Sequence, residues 1–196
     1  MNIFYSARHG ETENNTAKRL SGWIDTPLTE NGLVPTEAAI KKLERLPRID
    51  AIYASDLGRA FITAYEIACG LGLVAQKIIR LPGLREVNYG DAANMKSADA
   101  YKLYPRLDRD THYAPPNGET LDHMQRRAIA TVAEIDAQYT NATILIVAHS
   151  GIMAALNANH TGQDFGELNI SEAYTHEYVA RFTIENNHIT SFEEVR

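Results

Sequence analysis

The sequence predicts an α/β fold with a mostly parallel β-sheet, and two features of the 196-residue chain support this. Short apolar runs alternate with stretches of helical periodicity, a pattern typical of βα units that stack side by side. Two further apolar runs flank Asn186-Asn187, which tolerate the positive φ of a tight turn and therefore predict a terminal hairpin. One strand of that hairpin is a candidate antiparallel edge of the sheet.

Strands and helices are expected to alternate along the chain. The predicted strands are Ile3–Ala7, Ala51–Ala54, Val74–Ile79 and Ile144–Ala148, followed by the hairpin of Tyr178–Ile184 and Ile189–Val195. The predicted helices are Ala38–Leu46, Gly58–Gly70 and a long one from Thr120 to about Tyr139. Pro35 lacks an amide donor and disfavours helical geometry at Val34, so the first helix should begin at or after Pro35 or be kinked there.

Length and composition indicate one domain over residues 1–196. A hydrophobic content of 44% is enough for a single buried core. An insertion over the active face is expected at about residues 91–116, which carry three prolines, have weak periodicity and are helical only around Ala98–Tyr104. The oligomeric state stays open, and a homodimer is one of the arrangements that the sequence allows.

Charge and cysteine content exclude several classes of function. The net charge of −6 gives no overall attraction to nucleic acid or to an anionic membrane. The chain lacks the pattern of a secretory signal and any apolar run near the roughly 20 residues that span a bilayer, so a cytoplasmic location is expected. Cys69 is the single cysteine, which rules out an internal disulfide, and its place at the apolar end of a helix predicts a buried core thiol.

Four polar groups follow the predicted strands, at the ends where open α/β sheets bind ligands. They are Arg8-His9-Gly10-Glu11-Thr12, Ser55-Asp56-Leu57-Gly58-Arg59, Leu84-Arg85-Glu86 and His149-Ser150-Gly151. Any one of these residues alone would more often have a structural role. Their coincidence at the carboxyl ends of four strands favours a common site.

The polar side chains of these groups are suited to attacking a phosphomonoester. Arg8 and Arg59 can hold phosphate oxygens through bidentate, charge-assisted hydrogen bonds, and His149 can add a third donor. A neutral imidazole at His9 is a good nucleophile toward phosphorus, and Glu86 is the candidate to protonate the leaving group. Because fixed cations can stabilise the charge of the transition state, we expect neither a metal nor another cofactor.

Five motifs in this order resemble the histidine phosphatase superfamily, with the nearest likeness to its broad-specificity and α-ribazole phosphatases. They are Arg8-His9-Gly10-Glu11-Thr12, Ser21-Gly22-Trp23 with Asp25–Gly32, Tyr53–Ala60, Leu84-Arg85-Glu86 and Val147–Gly151. The resemblance implies a three-layer α/β/α fold with one antiparallel strand. It also implies that His9 is phosphorylated and that Glu86 acts as acid and then as base. The groups around the phosphoryl group would be Arg8, Arg59 and His149.

The same resemblance implies further residues that contact substrate. Asn15 stands where the family carries a phosphate-contacting asparagine, and Ser21 and Gly22 belong to the segment that lines the pocket. Tyr89 matches a tyrosine with which the family's mutases contact phosphoglycerate. Ser150 replaces the usual glycine and adds a hydroxyl at the edge of the phosphate.

Hydrolysis of a small phosphorylated metabolite is the favoured activity, and isomerisation is the alternative. A phosphoglycerate mutase needs 2,3-bisphosphoglycerate as primer and extra cationic ligands, whereas the insertion offers only the separated Arg106 and Arg109 with two nearby lysines. A non-catalytic protein that binds phosphorylated ligands is a third reading, but such proteins typically lose the nucleophile or the acid. A metal-dependent hydrolase with His9, His149 and Glu86 as ligands is disfavoured, because the arginines would repel a divalent cation.

Overall fold

The computed structural model describes residues 1–46, 48–73, 77–107, 109–164 and 173–196, leaving aside the side chains of residues 33–36. The strands in these ranges are β1 (Ile3–Arg8), β2 (Ala51–Ser55), β3 (Ile78–Leu81), β4 (Thr143–Ala148), β5 (Val179–Glu185) and β6 (His188–Glu194). The α-helices are α1 (Glu13–Thr16), α2 (Val34–Leu43), α3 (Gly58–Gly70), α4 (Ser97–Leu103), α5 (Leu121–Asp136) and α6 (Ser150–Thr161). None of these helices combines the length and the apolar character that crossing a membrane requires.

The strands form one sheet in the order β3-β2-β4-β1-β5-β6 within the described ranges. Strands β1 and β2 both pair in parallel with β4, and β3 pairs in parallel with β2. Strand β5 runs antiparallel to both of its neighbours, β1 and β6. The predicted mostly parallel sheet with one antiparallel strand is confirmed.

Helices cover both faces of the sheet. Successive side chains of a strand point to opposite faces, so Phe4 packs into the core beneath α5 and α6, whereas Tyr5 and Ala7 pack into the core beneath α2 and α3. The central strand β4 is buried on both faces from Ile144 to Ala148, as expected of a parallel strand that helices cover on two sides. The three-layer α/β/α arrangement is confirmed.

Parallel pairing brings the carboxyl ends of β1, β2 and β4 to one edge of the sheet. Arg8 lies in register with Ala148, so the residues that follow them are neighbours: His9 begins a loop and His149 caps α6. The amide of His9 donates to the carbonyl oxygen of Ala148 at 3.0 Å, which extends the ladder by one residue. Arg59 reaches the same edge from the first turn of α3, directly after β2.

Some element boundaries differ from the sequence prediction. Helix α2 begins at Val34, before Pro35 rather than at or after it, because the first turn of a helix does not use the amide that proline lacks. It also ends at Leu43 instead of Leu46. Strand β3 begins at Ile78 and continues to Leu81, and residues 74–76 of the predicted strand lie outside the described ranges.

Helix α6 has no counterpart in the sequence prediction. Its residues from Gly151 to Leu156 are all buried, so the helix lacks the polar face that produces a helical period. Helix α3 matches its predicted bounds, but Cys69 lies on the half-exposed side of that helix, and the prediction of a buried thiol was wrong. Ala64 and Ile67 are among the residues that occupy the buried face instead.

The insertion has a small core of its own and a closed base. Its helix α4 corresponds to the predicted helical part, and its buried apolar side chains form one cluster with a residue of the loop after α1: Leu20, Ala92, Ala100 and Leu107. The base consists of residues 88–91 and 116–119, which we call the neck. Across the neck, the amide of Asp91 donates to the Pro116 carbonyl and the amide of Glu119 to the Asn88 carbonyl, both at 2.9 Å.

Candidate active site

Two buried arginine side chains stand at the edge of the sheet where the strands end. Arg59 is 2% exposed and Arg8 is 9% exposed. Burial lowers the pKa of Arg8 to about 10, while the charge of Glu86 opposes this shift and that of Arg59 adds to it. Burial likewise lowers the pKa of Arg59. Because a guanidinium starts from a very high pKa, both side chains stay charged near neutral pH.

Backbone carbonyl oxygens orient both guanidinium groups. Arg8 donates from Nη1 to the carbonyl oxygen of Tyr174 at 2.6 Å. Arg59 donates from Nη1 to the carbonyl of Ile24 at 3.0 Å and from Nη2 to that of Gly22 at 2.7 Å. The Nε atoms of both arginines are buried and have no hydrogen-bond partner among the described residues.

The imidazole of His149 is also buried without a partner. It is fully buried, and neither of its ring nitrogens has a hydrogen bond within the described part of the chain. Burial, reinforced by the charge of Arg59, keeps the pKa of His149 well below its ordinary value. A buried polar group that lacks a partner costs about 1–3 kcal/mol. Unpaired donors beside two cations therefore indicate a site that an anion completes.

The ring of His9 is held in the tautomer that a nucleophile needs. Its Nδ1 lies 2.7 Å from the carbonyl oxygen of Gly10, which can only accept a hydrogen bond. The proton is therefore on Nδ1, and Nε2 carries the lone pair. Burial and the charges of Arg59 and Arg8 keep the pKa of His9 well below its ordinary value. The neutral ring lies 5.1 Å from the His149 ring, at an interplanar angle of 61°.

The loop that carries His9 is fixed by close backbone packing. The amide of Gly10 donates to the hydroxyl of Thr63 at 2.9 Å, and that hydroxyl donates to the Arg59 carbonyl at 2.8 Å. A Cβ atom at Gly10 would lie 2.0 Å from the carbonyl oxygen of Gly32. Glycine is required here because two backbone segments touch.

Hydrogen bonds fix both the side-chain carboxylate and the backbone carbonyl of Glu86. Its carboxylate accepts hydrogen bonds from the amide of Val87 at 3.0 Å and from the amide of Gly151 at 3.1 Å. Its backbone carbonyl accepts from Trp23 Nε1 and from Arg127 Nη2, both at 2.8 Å. Because Gly151 lies in the first turn of α6, which follows His149, these contacts bring the carboxylate to the same end of the sheet as the two histidines.

Arg59 depends on the segment that the sequence analysis assigned to the pocket. Leu57, which caps α3, offers no side-chain hydrogen bond, and Asp25 accepts hydrogen bonds from the amides of Gly58 and Arg59 instead. The Asp25 carboxylate also lies 3.6 Å from Arg59 Nη1. A carboxylate at this end of a helix is stabilising, so this segment fixes the position of Arg59.

The residues that were predicted to contact substrate differ in their burial and in their hydrogen-bond partners. Asn15 belongs to a capping box, where its Oδ1 accepts from the Thr12 amide at 3.0 Å, so Nδ2 is the atom that would donate to a phosphate. Gly22, with a φ of 52°, packs against the backbone of residues 87–89. Ser21 and Ser150 are half-buried, and Ser150 begins α6.

Tyr89 lies between two hydrophobic clusters. Its half-buried side chain packs against both the main core and the small cluster of the insertion. The structure therefore gives Tyr89 a packing role, and its contact with substrate stays a prediction.

A third histidine, His176, was not predicted to belong to the site. Its ring lies 5.6 Å from that of His9, and its Nδ1 is 2.7 Å from the His9 carbonyl oxygen, to which it donates. Burial and the charge of Arg8 lower the pKa of His176 to about 4, although the Glu11 carboxylate opposes the shift. His176 precedes β5, the antiparallel strand beside β1, and its sequence neighbours Thr175 and Glu177 give no motif that could have revealed it.

No group of three or more His, Cys, Asp or Glu side chains within the described ranges is arranged to hold a metal ion. The rings of His149 and His176 lie 5.1 and 5.6 Å from that of His9, and we call these three side chains the histidine row. Two buried arginines accompany that row, and their charge opposes the binding of a cation.

Comparison with known proteins decides the family. The sequence model of the histidine phosphatase superfamily (branch 1) matches residues 4–194. The chain belongs to this superfamily. The membership that the five sequence motifs predicted is confirmed.

The relatives include both phosphatases and mutases. The chain is 35% identical over 164 residues to glucosyl-3-phosphoglycerate phosphatase of Mycobacterium tuberculosis, covering 77% of this chain and 71% of that protein. It is 32% identical over 157 residues to the 2,3-bisphosphoglycerate-dependent phosphoglycerate mutase of Bartonella henselae, covering 76% of each. The solved structure of YhfR from Bacillus stearothermophilus superposes with a TM-score of 0.84 at 29% identity, covering 96% of this chain and 94% of that one. The chain spans 66% and 64% of the length of two Arabidopsis thaliana relatives.

Replacing His176 with Asn should flatten the pH dependence of stability. The native pKa of His176 is about 4, whereas a histidine in the unfolded chain titrates near 6.5. Unfolding therefore binds an extra proton between these values, and stability falls as the pH falls through this window. His176→Asn removes that proton but keeps an N–H donor near the Nδ1 position.

The measurement is urea unfolding at about pH 7 and about pH 5. The stability lost between the two should be smaller in His176→Asn than in the wild type by about 1 kcal/mol. His188→Asn, at an exposed position of the terminal hairpin, is the control for the loss of a surface histidine. Equal losses in the wild type and His176→Asn would show that His176 is not held neutral by its surroundings.

Proposed function

We propose that this protein is a metal-independent phosphomonoester hydrolase that acts on a small phosphorylated metabolite through a phosphohistidine at His9. The observation that carries the proposal is the hydrogen bond between His9 Nδ1 and the Gly10 carbonyl, which leaves Nε2 as a nucleophile beside buried, unpaired donors. The function rests on general chemistry of neutral imidazole toward phosphorus and on membership of a superfamily that contains phosphatases.

The proposed first half-reaction moves the phosphoryl group to the enzyme. His9 Nε2 attacks phosphorus, a P–N bond forms and the P–O bond to the alcohol breaks. Glu86 donates its proton to the departing oxygen, so the product leaves as a neutral alcohol. Arg8, Arg59 and His149 hold the non-bridging oxygens, where charge accumulates in the transition state.

The proposed second half-reaction returns the enzyme to its starting state. A water molecule gives one proton to the Glu86 carboxylate and attacks phosphorus. The P–N bond then breaks, which releases inorganic phosphate and neutral His9. Each turnover consumes one ester and one water, and the same carboxyl group serves as acid and then as base.

The insertion favours hydrolysis over isomerisation. Arg106, one of the two arginines that could have held a second anionic group, donates from Nε and Nη2 to the Asp110 carboxylate and lies over the ring of Tyr113. That pairing neutralises its charge at the surface. A mutase must retain a doubly charged intermediate, and binding it requires more cationic ligands than a hydrolase needs. Only the mutase alternative would use 2,3-bisphosphoglycerate, as a primer.

Replacing His9 with Ala should abolish formation of the phosphoenzyme, because the proposal gives the protein no other nucleophile. Acid-quenched reactions with labelled substrate, followed by detection of acid-labile label on the protein, measure this. His160→Ala, at the far end of α6, should retain the label. Label on the folded His9→Ala variant would refute the assignment of the nucleophile.

Incubation with 3-phosphoglycerate distinguishes the two activities. We expect slow or no conversion to 2-phosphoglycerate, with or without 2,3-bisphosphoglycerate, and release of phosphate from a panel of monoesters. Both products can be followed in one experiment. Rapid isomerisation that depends on 2,3-bisphosphoglycerate would make the protein a mutase.

Replacing Gly151 with Ala should impair acid catalysis without unfolding the protein. A Cβ atom at Gly151 would lie 2.0 Å from Glu86 Oε1, and the end of that flexible side chain can swing away. Stability should stay within about 1 kcal/mol of the wild type, because the helix preference of Ala over Gly offsets the loss of the hydrogen bonds that the Glu86 carboxylate accepts. Turnover of alkyl phosphates should fall by about 10²-fold, whereas p-nitrophenyl phosphate, whose leaving group needs little protonation, should be much less affected.

Glu86→Gln is the reference for the Gly151→Ala measurement. The double variant should be no slower than Glu86→Gln alone, because both changes remove the same function. If Glu86→Gln slows alkyl and aryl phosphates equally, Glu86 is not the acid.

A further inference from the structure

The guanidinium of Arg127 donates hydrogen bonds to several backbone carbonyls of the loop that carries Glu86. Arg127, on α5, donates from Nη1 to the carbonyl oxygens of Gly83 and Arg85, at 3.0 and 2.6 Å. It donates from Nη2 to the Glu86 carbonyl at 2.8 Å and to Glu119 Oε1 at 2.6 Å, and from Nε to Glu119 Oε2 at 3.1 Å. An arginine has five N–H donors, and all five are used within 2.6–3.1 Å.

Glu119 completes this arrangement and links it to the neck of the insertion. Its Oε1 also accepts from the amide of Asn88 at 2.9 Å. Although burial opposes ionisation, the hydrogen bonds from Arg127 and His123 hold the pKa of Glu119 below its ordinary value. The ion pair is largely buried, with side-chain exposures of 16% for Arg127 and 9% for Glu119. The hydrogen bonds of this pair fix the backbone of the loop that carries Glu86.

We propose that Arg127, with Glu119 as its counterion, is the positioning residue for the proton donor Glu86; this rests on the proposed function. Arg127 bonds the Glu86 carbonyl and the carbonyls of the residues before it, so it fixes where the backbone of the acid lies. The carboxylate then reaches the amide of Gly151 at 3.1 Å. A misplacement of about 1 Å is enough to cost about 10²-fold in rate.

Lysine cannot fully replace this arginine. An ammonium group has three donors around a single point, whereas Arg127 bonds three carbonyl oxygens and both oxygens of one carboxylate. Arg127→Lys should therefore retain part of the arrangement, and Arg127→Met should retain none of it. The adjacent Arg126 provides a matched control, because its side chain is 70% exposed and pairs along its own helix with Asp122.

The experiment compares leaving groups across four variants. The rates kcat and kcat/KM are measured for an alkyl monoester, glycerol phosphate, and for p-nitrophenyl phosphate in Arg127→Met, Arg127→Lys, Arg126→Met and Glu86→Gln. Circular dichroism and thermal unfolding establish that each variant is folded. If Arg127→Met does not fold, Arg127→Lys supplies the comparison.

We expect Arg127→Met to lose about 10²-fold in kcat on glycerol phosphate and less than about 5-fold on p-nitrophenyl phosphate. Arg127→Lys should fall between Arg127→Met and the wild type, and Arg126→Met should match the wild type on both substrates. Equal losses on both substrates in a folded Arg127 variant would overturn the positioning role while leaving the proposed function intact. If Glu86→Gln itself shows no dependence on the leaving group, the acid role fails, and the proposal for Arg127 fails with it.

Discussion

Two guanidinium cations, Arg8 and Arg59, are buried at the edge of the sheet and held mainly by backbone carbonyl oxygens. Burial of charge is costly when the partners are neutral, and this constraint sets the state of the groups around them. His9, His149 and His176 are kept neutral by burial and by these cations. The resulting combination of neutral imidazoles and desolvated cations suits an incoming anion and a nucleophile that keeps its lone pair.

The loop from Ser21 to Gly32 holds the Arg59 side chain and the His9 loop in place, whether or not it also contacts substrate. Its carbonyls at Gly22 and Ile24 receive the Arg59 guanidinium, Asp25 caps α3, and Gly32 makes room for the backbone at Gly10. A change in this segment would therefore disturb the placement of Arg59 and His9 together. The family motif in this region is explained by backbone packing at least as well as by contact with a ligand.

The position of the site could be predicted from the sequence because its polar groups follow apolar runs that are typical of strands. Parallel pairing of β1 with β4 then brings Arg8, His9 and His149 together. Arg59 reaches the same edge because it lies in the first turn of α3, the helix that follows β2. His176 could not be found this way, since it precedes an antiparallel strand and approaches the site from the opposite direction along the chain. Helix α6 was not predicted because its residues from Gly151 to Leu156 are all buried, which removes the amphipathic period there. The roles of Gly151 and Arg127 depend on contacts between distant elements, which no local pattern encodes.

The closed neck holds the two ends of the insertion together. Residues 88–91 and 116–119 are bonded across the base through Asp91, Asn88 and Glu119, so the chain leaves and re-enters the domain at nearly the same point. The entropic cost of closing a loop grows only with the logarithm of its length. The segment between the two halves of the neck can therefore change in length while the neck stays closed, provided that residues 94–97 keep their hydrogen bonds to Lys18 and Leu20. Variation of this segment would therefore leave the side chains at the edge of the sheet in place.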